Sequence, residues 1–268
     1  MNPINRYRRQ RRERIAERNL SRPYPGRRGH RVETWIDAYW RTGELNMEFF
    51  SGGIFKLTEG KNYFTDEKRA WCLAALKQCV EMGKGISYYH YARPDTDPGD
   101  DGLIGDAVAE AEDFLAAIDS VVAPHTLRFV DGGTAAVWLD LEATCDNLSE
   151  EDGLAWILSW LEVVEERFPC GLYASSRWTD AEATPNGDES LQKLYWRKKP
   201  VGGSRRRPAW IARYGSNSGV PELQKYPHEE KLSNFLLERG PIAIKQFTSR
   251  MVTPGIAEPH DANLLYLA

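Results

Sequence analysis

The stretch Ala135–Glu142, AAVWLDLE, combines a buried strand with two acidic residues at its C-terminal end. Side chains alternate along a strand, so Trp138, Asp140 and Glu142 share one face and the aliphatic residues between them share the other. Apolar residues on both faces are typical of a parallel strand that is covered on both sides. In β/α barrels the C-terminal ends of the strands carry the active site. The stretch therefore predicts a parallel β/α fold with a carboxylate pair at its functional end.

Strand and helix patterns alternate along the chain from Val32 onward. The predicted strands are Thr34–Ala38, Gly53–Thr58, Gly85–Tyr91, Ala135–Leu141, Gly171–Ser175, Ala209–Arg213, Ile242–Phe247 and Asn263–Leu267. Helices are predicted over Asp66–Met82 with Thr65 as N-cap, over about Leu103–Ile118, and from a Ser149–Asp152 capping box to Pro169. Eight strands with few late helices predict an irregular TIM-like β/α barrel, with about five βα units followed by three strands.

The charge divides the chain into a basic arm and an acidic body. Residues 1–32 hold eleven Arg and two acids and so carry a charge of +9. Because the net charge of the chain is −4, the remaining residues carry −13. We predict an arginine-rich arm and linker over 1–31 and a catalytic barrel over 32–268. Arginine-rich segments bind acidic protein surfaces or other polyanions, which predicts such a partner for residues 6–31. A solvated tail is the alternative.

The composition excludes several classes of protein. No apolar run approaches the roughly 18 residues of a membrane span, and the N-terminus lacks the apolar stretch of a signal peptide. We therefore expect no membrane span and synthesis in a cytoplasm. The four cysteines lack the spacing of metal ligands, which predicts reduced, structural thiols.

The two acids of the central strand have the arrangement of glycosidase carboxyls. Two carboxyls on one face, two residues apart, lie about 5–6 Å from each other, a spacing typical of retaining glycosidases. Repulsion and partial burial should raise the pKa of one carboxyl and leave the other ionised. The pair then supplies a proton donor and an anionic stabiliser. A solvated strand edge is the alternative for so short a motif.

Further motifs in order along the chain carry a resemblance to a known family. They are FKLTEG at 55–60 with Tyr63 and Asp66, YYHYARP at 88–94, WLDLE at 138–142, GLYAS at 171–175, PAWIARYG at 208–215, KQFTS at 245–249 and HDAN at 260–263. Over residues 34–268 the chain resembles glycoside hydrolase family 25, the Chalaropsis-type lysozymes common in bacteriophages and bacteria. It departs from the family at WIDAYW, where the opening strand usually reads Asp-Val-Ser, and at KQF, where Trp-Gln-Tyr is usual.

The resemblance implies an N-acetylmuramidase that cleaves the β-1,4 bond between N-acetylmuramic acid and N-acetylglucosamine of peptidoglycan with retention. Glu142 matches the general acid and base, and Asp140 matches the carboxylate that assists the acetamido group of the substrate. No metal or organic cofactor is implied. The residues that match the substrate-binding cleft are Asp37, Tyr89, Tyr173, Trp210, Tyr214, Gln246 and Asp261. Plain packing is the alternative for each aromatic residue, and His90, which faces away from Tyr89, is expected to be structural.

Two functions remain open at this point. The first is a lysozyme of the endolysin type, made in the host cytoplasm and released to the bacterial cell wall through a holin. The second, indicated by the basic arm, is a component of the bacteriophage virion whose barrel only binds the wall or opens it locally, with other phage structural proteins as partners. The host wall chemistry and the oligomeric state are left open.

Overall fold

Eight β-strands form a closed barrel in the part of the chain that the computed structural model describes, residues 31–94, 102–121, 136–142, 148–175, 208–212 and 242–267. The strands are β1 Arg31–Ala38, β2 Gly52–Glu59, β3 Gly85–Tyr91, β4 Val137–Asp140, β5 Cys170–Ser175, β6 Ala209–Ala212, β7 Ile242–Met251 and β8 His260–Leu267. They pair in chain order, and β8 closes the barrel against β1. The predicted irregular α/β barrel is confirmed. It begins at Arg31, one residue before the predicted boundary of the arm.

The last strand runs against the direction of all the others. The pairs from β1 to β7 are parallel, whereas β8 is antiparallel to both β7 and β1. A parallel crossover needs a dozen or more residues, but only residues 252–259 connect β7 to β8. The short connection therefore reverses the chain, and it makes this end of the barrel irregular.

Three α-helices cover the outside of β2, β3 and β4: α1 Asp66–Glu81, α2 Gly102–Val121 and α3 Glu150–Glu165. Each follows one of these strands, whereas the β1–β2 connection holds only two short 3-10 helices. The first of the five predicted βα units therefore lacks an α-helix, and residues 176–207, which connect β5 to β6, lie outside the described residues. No helix in the described ranges is both long and apolar enough to cross a bilayer.

The N-caps of two helices differ from the predictions in detail. Thr65 precedes α1 with extended backbone but makes no side-chain capping hydrogen bond. Ser149 does cap α3, because its hydroxyl accepts a hydrogen bond from the backbone N–H of Asp152 at 3.1 Å. The carboxylate of Asp152 accepts from the Ser149 hydroxyl at 2.6 Å. The first turn of α3 is thus fixed by hydrogen bonds from residues of its own sequence.

The core has two layers, one between the helices and the sheet and one inside the barrel. The inner layer consists of Trp35, Ile54, Tyr89, Trp138, Tyr173, Trp210, Ala212, Ile244 and Leu265, all buried. At the N-terminal end of the strands, the ring of Trp35 packs against Gly52 and Gly85. A Cβ added at Gly52 would lie 2.5 Å from a ring atom of Trp35, and one added at Gly85 would lie 2.3 Å from the ring. Glycine is required at both positions because the indole fills that space. In the part of the barrel described here, a pocket lies above this aromatic filling, towards the C-terminal ends of the strands.

The cysteines of the described residues are buried. Cys72 and Cys79 are free thiols, Cys170 is buried in β5, and Cys145 lies outside the described residues. Burial raises the pKa of the Cys72 and Cys79 thiols to about 12. A thiol with so high a pKa stays protonated and unreactive, as the predicted structural role requires.

His90 belongs to a buried hydrogen-bond network on the outer face of β3, as expected of a structural residue. Its Nε2 lies 2.7 Å from a carboxylate oxygen of Glu110 in α2, and its Nδ1 lies 2.7 Å from the hydroxyl of Thr58. Glu110 also accepts a hydrogen bond from the backbone N–H of Arg93. The imidazole stacks on Trp160 of α3 with 5.3 Å between ring centroids. The network therefore ties two helices to the barrel.

Removing the acceptor from this network should destabilise the fold. We expect Glu110→Ala to lower the free energy of unfolding by about 3 kcal/mol, because the buried imidazole of His90 and the part-buried backbone N–H of Arg93 lose their partner. Asp119→Ala breaks an exposed ion pair with Arg167 and should cost less than about 1 kcal/mol. Urea unfolding followed by tryptophan fluorescence measures both, and equal losses would contradict the role given to Glu110.

Candidate active site

A pocket opens at the C-terminal ends of the strands, above the aromatic filling of the barrel. It is lined by Asp37, Tyr39, Lys56, Tyr89, Tyr91, Asp140, Glu142, Tyr173, Trp210 and Asp261. Seven of the nine residues predicted for the site are in this lining, and Gln246 is hydrogen-bonded to one of them. Tyr214 lies outside the described residues. The barrel thus brings together residues that are far apart in the sequence.

Four carboxyl groups meet in the pocket. Asp37 in β1 is directly opposite Asp261 in β8, since these two residues are register partners of the antiparallel pair. Asp140 ends β4, and Glu142 follows two residues later. Like charges placed directly opposite each other on neighbouring strands repel. The arrangement is therefore unfavourable for folding and indicates a functional site.

Asp140 and Glu142 enter the same pocket, as the alternation along β4 predicts. Asp140 is only 5% exposed, and its Oδ1 accepts a hydrogen bond from the backbone N–H of Glu142 at 3.1 Å. Glu142 is part-buried and extends beyond the end of the strand. The less buried carboxyl is thus the better placed of the two to reach a ligand.

Burial raises the pKa of all four carboxyls. It is the largest cause in each case, and the pKa of Asp37 and of Asp140 lies well above the usual value. The charge of Glu142 raises all three aspartate pKa values further, that of Asp261 to about 7. Lys56 lowers the pKa of Asp37, Asp140 and Glu142. We expected only one pKa of the Asp140–Glu142 pair to rise; both do, because both groups are shielded from water.

Hydrogen bonds orient three of the carboxyls. Tyr89 lowers the pKa of Asp37 by a side-chain hydrogen bond, and Gln246 does the same for Asp261. The single hydroxyl proton of Tyr173 is donated either to Oε1 of Gln246, which lies 2.6 Å away, or to Glu142, whose pKa that hydrogen bond lowers. Tyr173 and Gln246 therefore connect Glu142 to Asp261.

Trp210 forms the floor of the pocket. It is 1% exposed, with ring centroids 4.6 Å from Tyr173 and 5.7 Å from Tyr89. Its Nε1 donates to Oδ1 of the buried Asn263 at 2.8 Å. Most of the indole therefore packs in the core, and only its edge reaches the pocket. Trp210 is therefore both a core residue and a part of the pocket lining.

Solved structures that are similar to this chain include the following three proteins. The spore cortex lytic enzyme SleM of Clostridium perfringens matches 87% of this chain and 67% of its own at 19% identity, with a TM-score of 0.62. The catalytic domain of endolysin ply40, from bacteriophage P40 of Listeria monocytogenes, matches 86% of this chain and 91% of its own at 18% identity, with a TM-score of 0.55. GHIP, a glycosyl hydrolase 25 of Streptococcus pneumoniae participating in host cell invasion, matches 96% of this chain and 92% of its own at 17% identity, with a TM-score of 0.54.

The chain has the fold of glycosyl hydrolase 25. This confirms the fold that the sequence resemblance implied. No protein-family model and no curated protein sequence matches the chain. The chain spans about two thirds of the length of SleM, 67%, and of the CTP1L endolysin, 66%.

Three residues of the pocket were missed by the sequence analysis: Tyr39, Lys56 and Tyr91. Lys56 is the one cation that lines the pocket among the residues described, and it is paired with Glu59. Its position two residues after the inward-facing Ile54 could have identified it, because alternation places both side chains on the same face of β2. Within the ranges described, no group of three or more His, Cys, Asp or Glu is arranged to hold a metal ion.

The raised pKa of Asp261 predicts a pH-dependent gain in stability on its removal. Its folded pKa of about 7 exceeds the value of 3.8 that the exposed group has. The stability that this carboxyl contributes is thus fully present below about pH 4 and is lost as the pH rises through 7. We expect Asp261→Asn to raise the free energy of unfolding relative to the wild type by on the order of 2–4 kcal/mol at pH 8.

The gain should shrink as the pH falls towards 4, where both proteins carry a neutral group at this position. Denaturant unfolding at a series of pH values measures it. Glu81→Gln, on the exposed side of α1, controls for the loss of one negative charge from the whole molecule. A gain that is the same at every pH would show that Asp261 is ionised normally.

Proposed function

We propose that this protein hydrolyses peptidoglycan at the β-1,4 bond between N-acetylmuramic acid and N-acetylglucosamine, with retention at the anomeric carbon. The observation that carries the proposal is the cluster of four part-buried or buried carboxyls at the C-terminal mouth of the barrel, two of which are two residues apart at the end of β4. A glycosidase needs a proton donor and a second carboxylate on the two sides of one bond. The cluster supplies both.

Glu142 is the proposed general acid and base. Burial raises its pKa, which favours the protonated form that an acid needs. Its hydrogen bond with Tyr173 fixes the direction in which the carboxyl points. In the first step the Glu142 proton passes to the oxygen of the leaving sugar as the glycosidic bond breaks. In the second step the Glu142 carboxylate takes a proton from the attacking water.

Asp140 is the proposed partner of the substrate's acetamido group. It is held rigidly, since it lies on the last residue of β4 and its carboxylate accepts the backbone N–H of Glu142. Burial raises the pKa of Asp140, whereas Lys56 and this hydrogen bond lower it and so favour the charged form, which can accept the acetamido N–H of the substrate. The acetamido oxygen then attacks the anomeric carbon, and water later opens the resulting ring from the opposite face. Two inversions give net retention.

The proteins that share the fold support the proposed class of substrate. SleM is a spore cortex lytic enzyme and ply40 is an endolysin, so both names describe lysis of cell-wall material. A long glycan fits a pocket that is open at the mouth of the barrel and bordered by the exposed ring of Tyr39. We therefore propose the bacterial cell wall as the place of action.

Delivery to the wall stays a prediction from the sequence. The arm of residues 1–31, with its phage structural protein or other polyanion as partner, lies almost wholly outside the described residues. Release through a holin and transport in a phage particle are both compatible with the barrel. A barrel that only binds the wall would not need carboxyls whose burial opposes folding, so the pocket favours catalysis over the binding alternative.

Replacing the proposed acid should abolish hydrolysis without unfolding the barrel. We expect Glu142→Gln to lower kcat on purified walls by roughly a thousandfold, because an amide cannot protonate the leaving oxygen. Wall turbidity and the release of reducing sugars measure the rate. Muramic acid at the new reducing ends is the expected product.

Glu81→Gln makes the same chemical change on the exposed side of α1 and should leave the rate unchanged. Glucosamine at the reducing ends, or freed peptides, would reject the proposed bond. Undiminished clearing by Glu142→Gln would reject the acid. Wall binding by the wild type with no new reducing ends would favour the binding alternative.

A further inference from the structure

A positively charged aromatic surface borders the acidic pocket on the side of β1, β2 and β3. It consists of residues that lie at or after the C-terminal ends of these strands: Trp40, Arg41, Tyr63, Lys68, Tyr91 and Arg93. We call these six residues the cationic shoulder. Because they follow the same ends of neighbouring strands as the carboxyls do, the shoulder and the pocket share the same face of the barrel.

Ring contacts join the shoulder into one surface. Nζ of Lys68 lies 3.3 Å from the ring centroid of Tyr63 and 5.9 Å from that of Trp40. The guanidinium of Arg41 lies 5.0 Å from the centroid of Trp40, whose Nε1 donates to the Tyr63 hydroxyl at 3.1 Å. Each cation is thus held over an aromatic face, which fixes its position without neutralising its charge.

Lys56 connects the shoulder to the pocket. It lines the pocket, and its ammonium lies 4.5 Å from the ring centroid of Tyr91 and 5.4 Å from that of Tyr63. Tyr91 lines the pocket as well, and the guanidinium of Arg93 lies 4.6 Å from its ring. A ligand that fills the pocket and extends towards β2 therefore reaches the shoulder.

Part of the positive charge of the cationic shoulder is not neutralised by an ion pair with the carboxylates described here. Glu59 pairs with both Lys56 and Arg93, but within the part of the chain described here neither Arg41 nor Lys68 has a carboxylate within ion-pair distance. Burial lowers the pKa of Lys68. The charges of Glu59 and Glu67 raise it, whereas those of Lys56 and Arg41 lower it. Repulsion between these cations would be relieved by an anion bound between Arg41 and Lys68.

We propose that the cationic shoulder binds the carboxylates of the peptide stems on a peptidoglycan strand. This inference rests on the proposed function. Stem carboxylates are repelled by the four carboxyls of the pocket and attracted by Arg41 and Lys68, whereas the sugar rings at the cleavage point carry no such charge. The opposed charges therefore orient the strand, with its neutral rings over Asp140 and Glu142 and its anionic groups over the shoulder.

The test removes two cations from the shoulder and, separately, the charge from the substrate. The variant is Arg41→Gln with Lys68→Gln. Its control is Lys77→Gln with Lys84→Gln, which removes the same charge from α1 and from the residue before β3, at the opposite end of the barrel. The substrates are peptide-bearing strands stripped of phosphate-containing wall polymers, and the same strands with their stem carboxyls converted to amides.

On the untreated strands, the shoulder variant should have a KM about five- to tenfold higher than the wild type at low ionic strength, with kcat unchanged. High salt should remove the difference, because it screens exposed charges. On the amidated strands the wild type, the variant and the control should have one common, raised KM. The control should match the wild type on both substrates.

The proposal would be overturned if the KM of the variant equalled that of the wild type on untreated strands. It would also be overturned if the substitutions raised the KM by the same factor on amidated strands. An effect that appears only when phosphate polymers are left on the walls would overturn it too, because the anion would then be a phosphate. Titration calorimetry with a disaccharide that carries one peptide stem measures binding without cleavage. Weaker binding by the variant than by the control would support the role of the cationic shoulder even if no strand were cut. The absence of cleavage would reject only the proposed hydrolysis.

Discussion

The rest of this structure depends on the enforced proximity of four carboxyl groups in a space that water barely enters. Strand pairing holds Asp37 against Asp261, and the end of β4 adds Asp140 and Glu142 from the side. Each group left in bulk water would be ionised at neutral pH, and together they would repel one another. Their pKa values rise mainly because the barrel buries them, and those of the three aspartates rise further because neighbouring carboxyls are held close to them. Burial therefore favours the protonated form that the proposed general acid needs.

The closed barrel is what makes this enforcement possible. Every strand is paired on both sides, so β1 and β8 cannot move apart without breaking the ring of hydrogen bonds. Below the carboxyls, a layer of indole and phenol rings that includes Trp138 and Trp210 fills the interior and excludes water. Outside, His90 and Glu110 fasten α2 to β3. Packing energy from these layers offsets the repulsion at the mouth.

The sequence predicted the parts of the site that depend on local order. Alternation along AAVWLDLE is a property of one strand, and it correctly placed Asp140 and Glu142 in one pocket. Asp37 and Asp261 came only from the family resemblance, because their meeting depends on which strands close the barrel. Lys56 was missed since a lysine in a strand usually faces water, and the reversal of β8 was missed since strand patterns do not encode direction. Tyr214 and the arm lie outside the described residues, so their roles remain predictions.

Lys56 shows why the acidity of the site and the position of the substrate are not independent. It is close enough to lower the pKa of Asp37, Asp140 and Glu142, yet Glu59 and the faces of Tyr63 and Tyr91 hold it at the edge of the pocket. A lysine centred among the carboxyls would neutralise them and leave no raised pKa for an acid. A pocket without the lysine would disfavour the charged form of Asp140 still more. The intermediate position permits one protonated and one charged group, and it also places the first positive charge of the shoulder where a strand leaves the pocket.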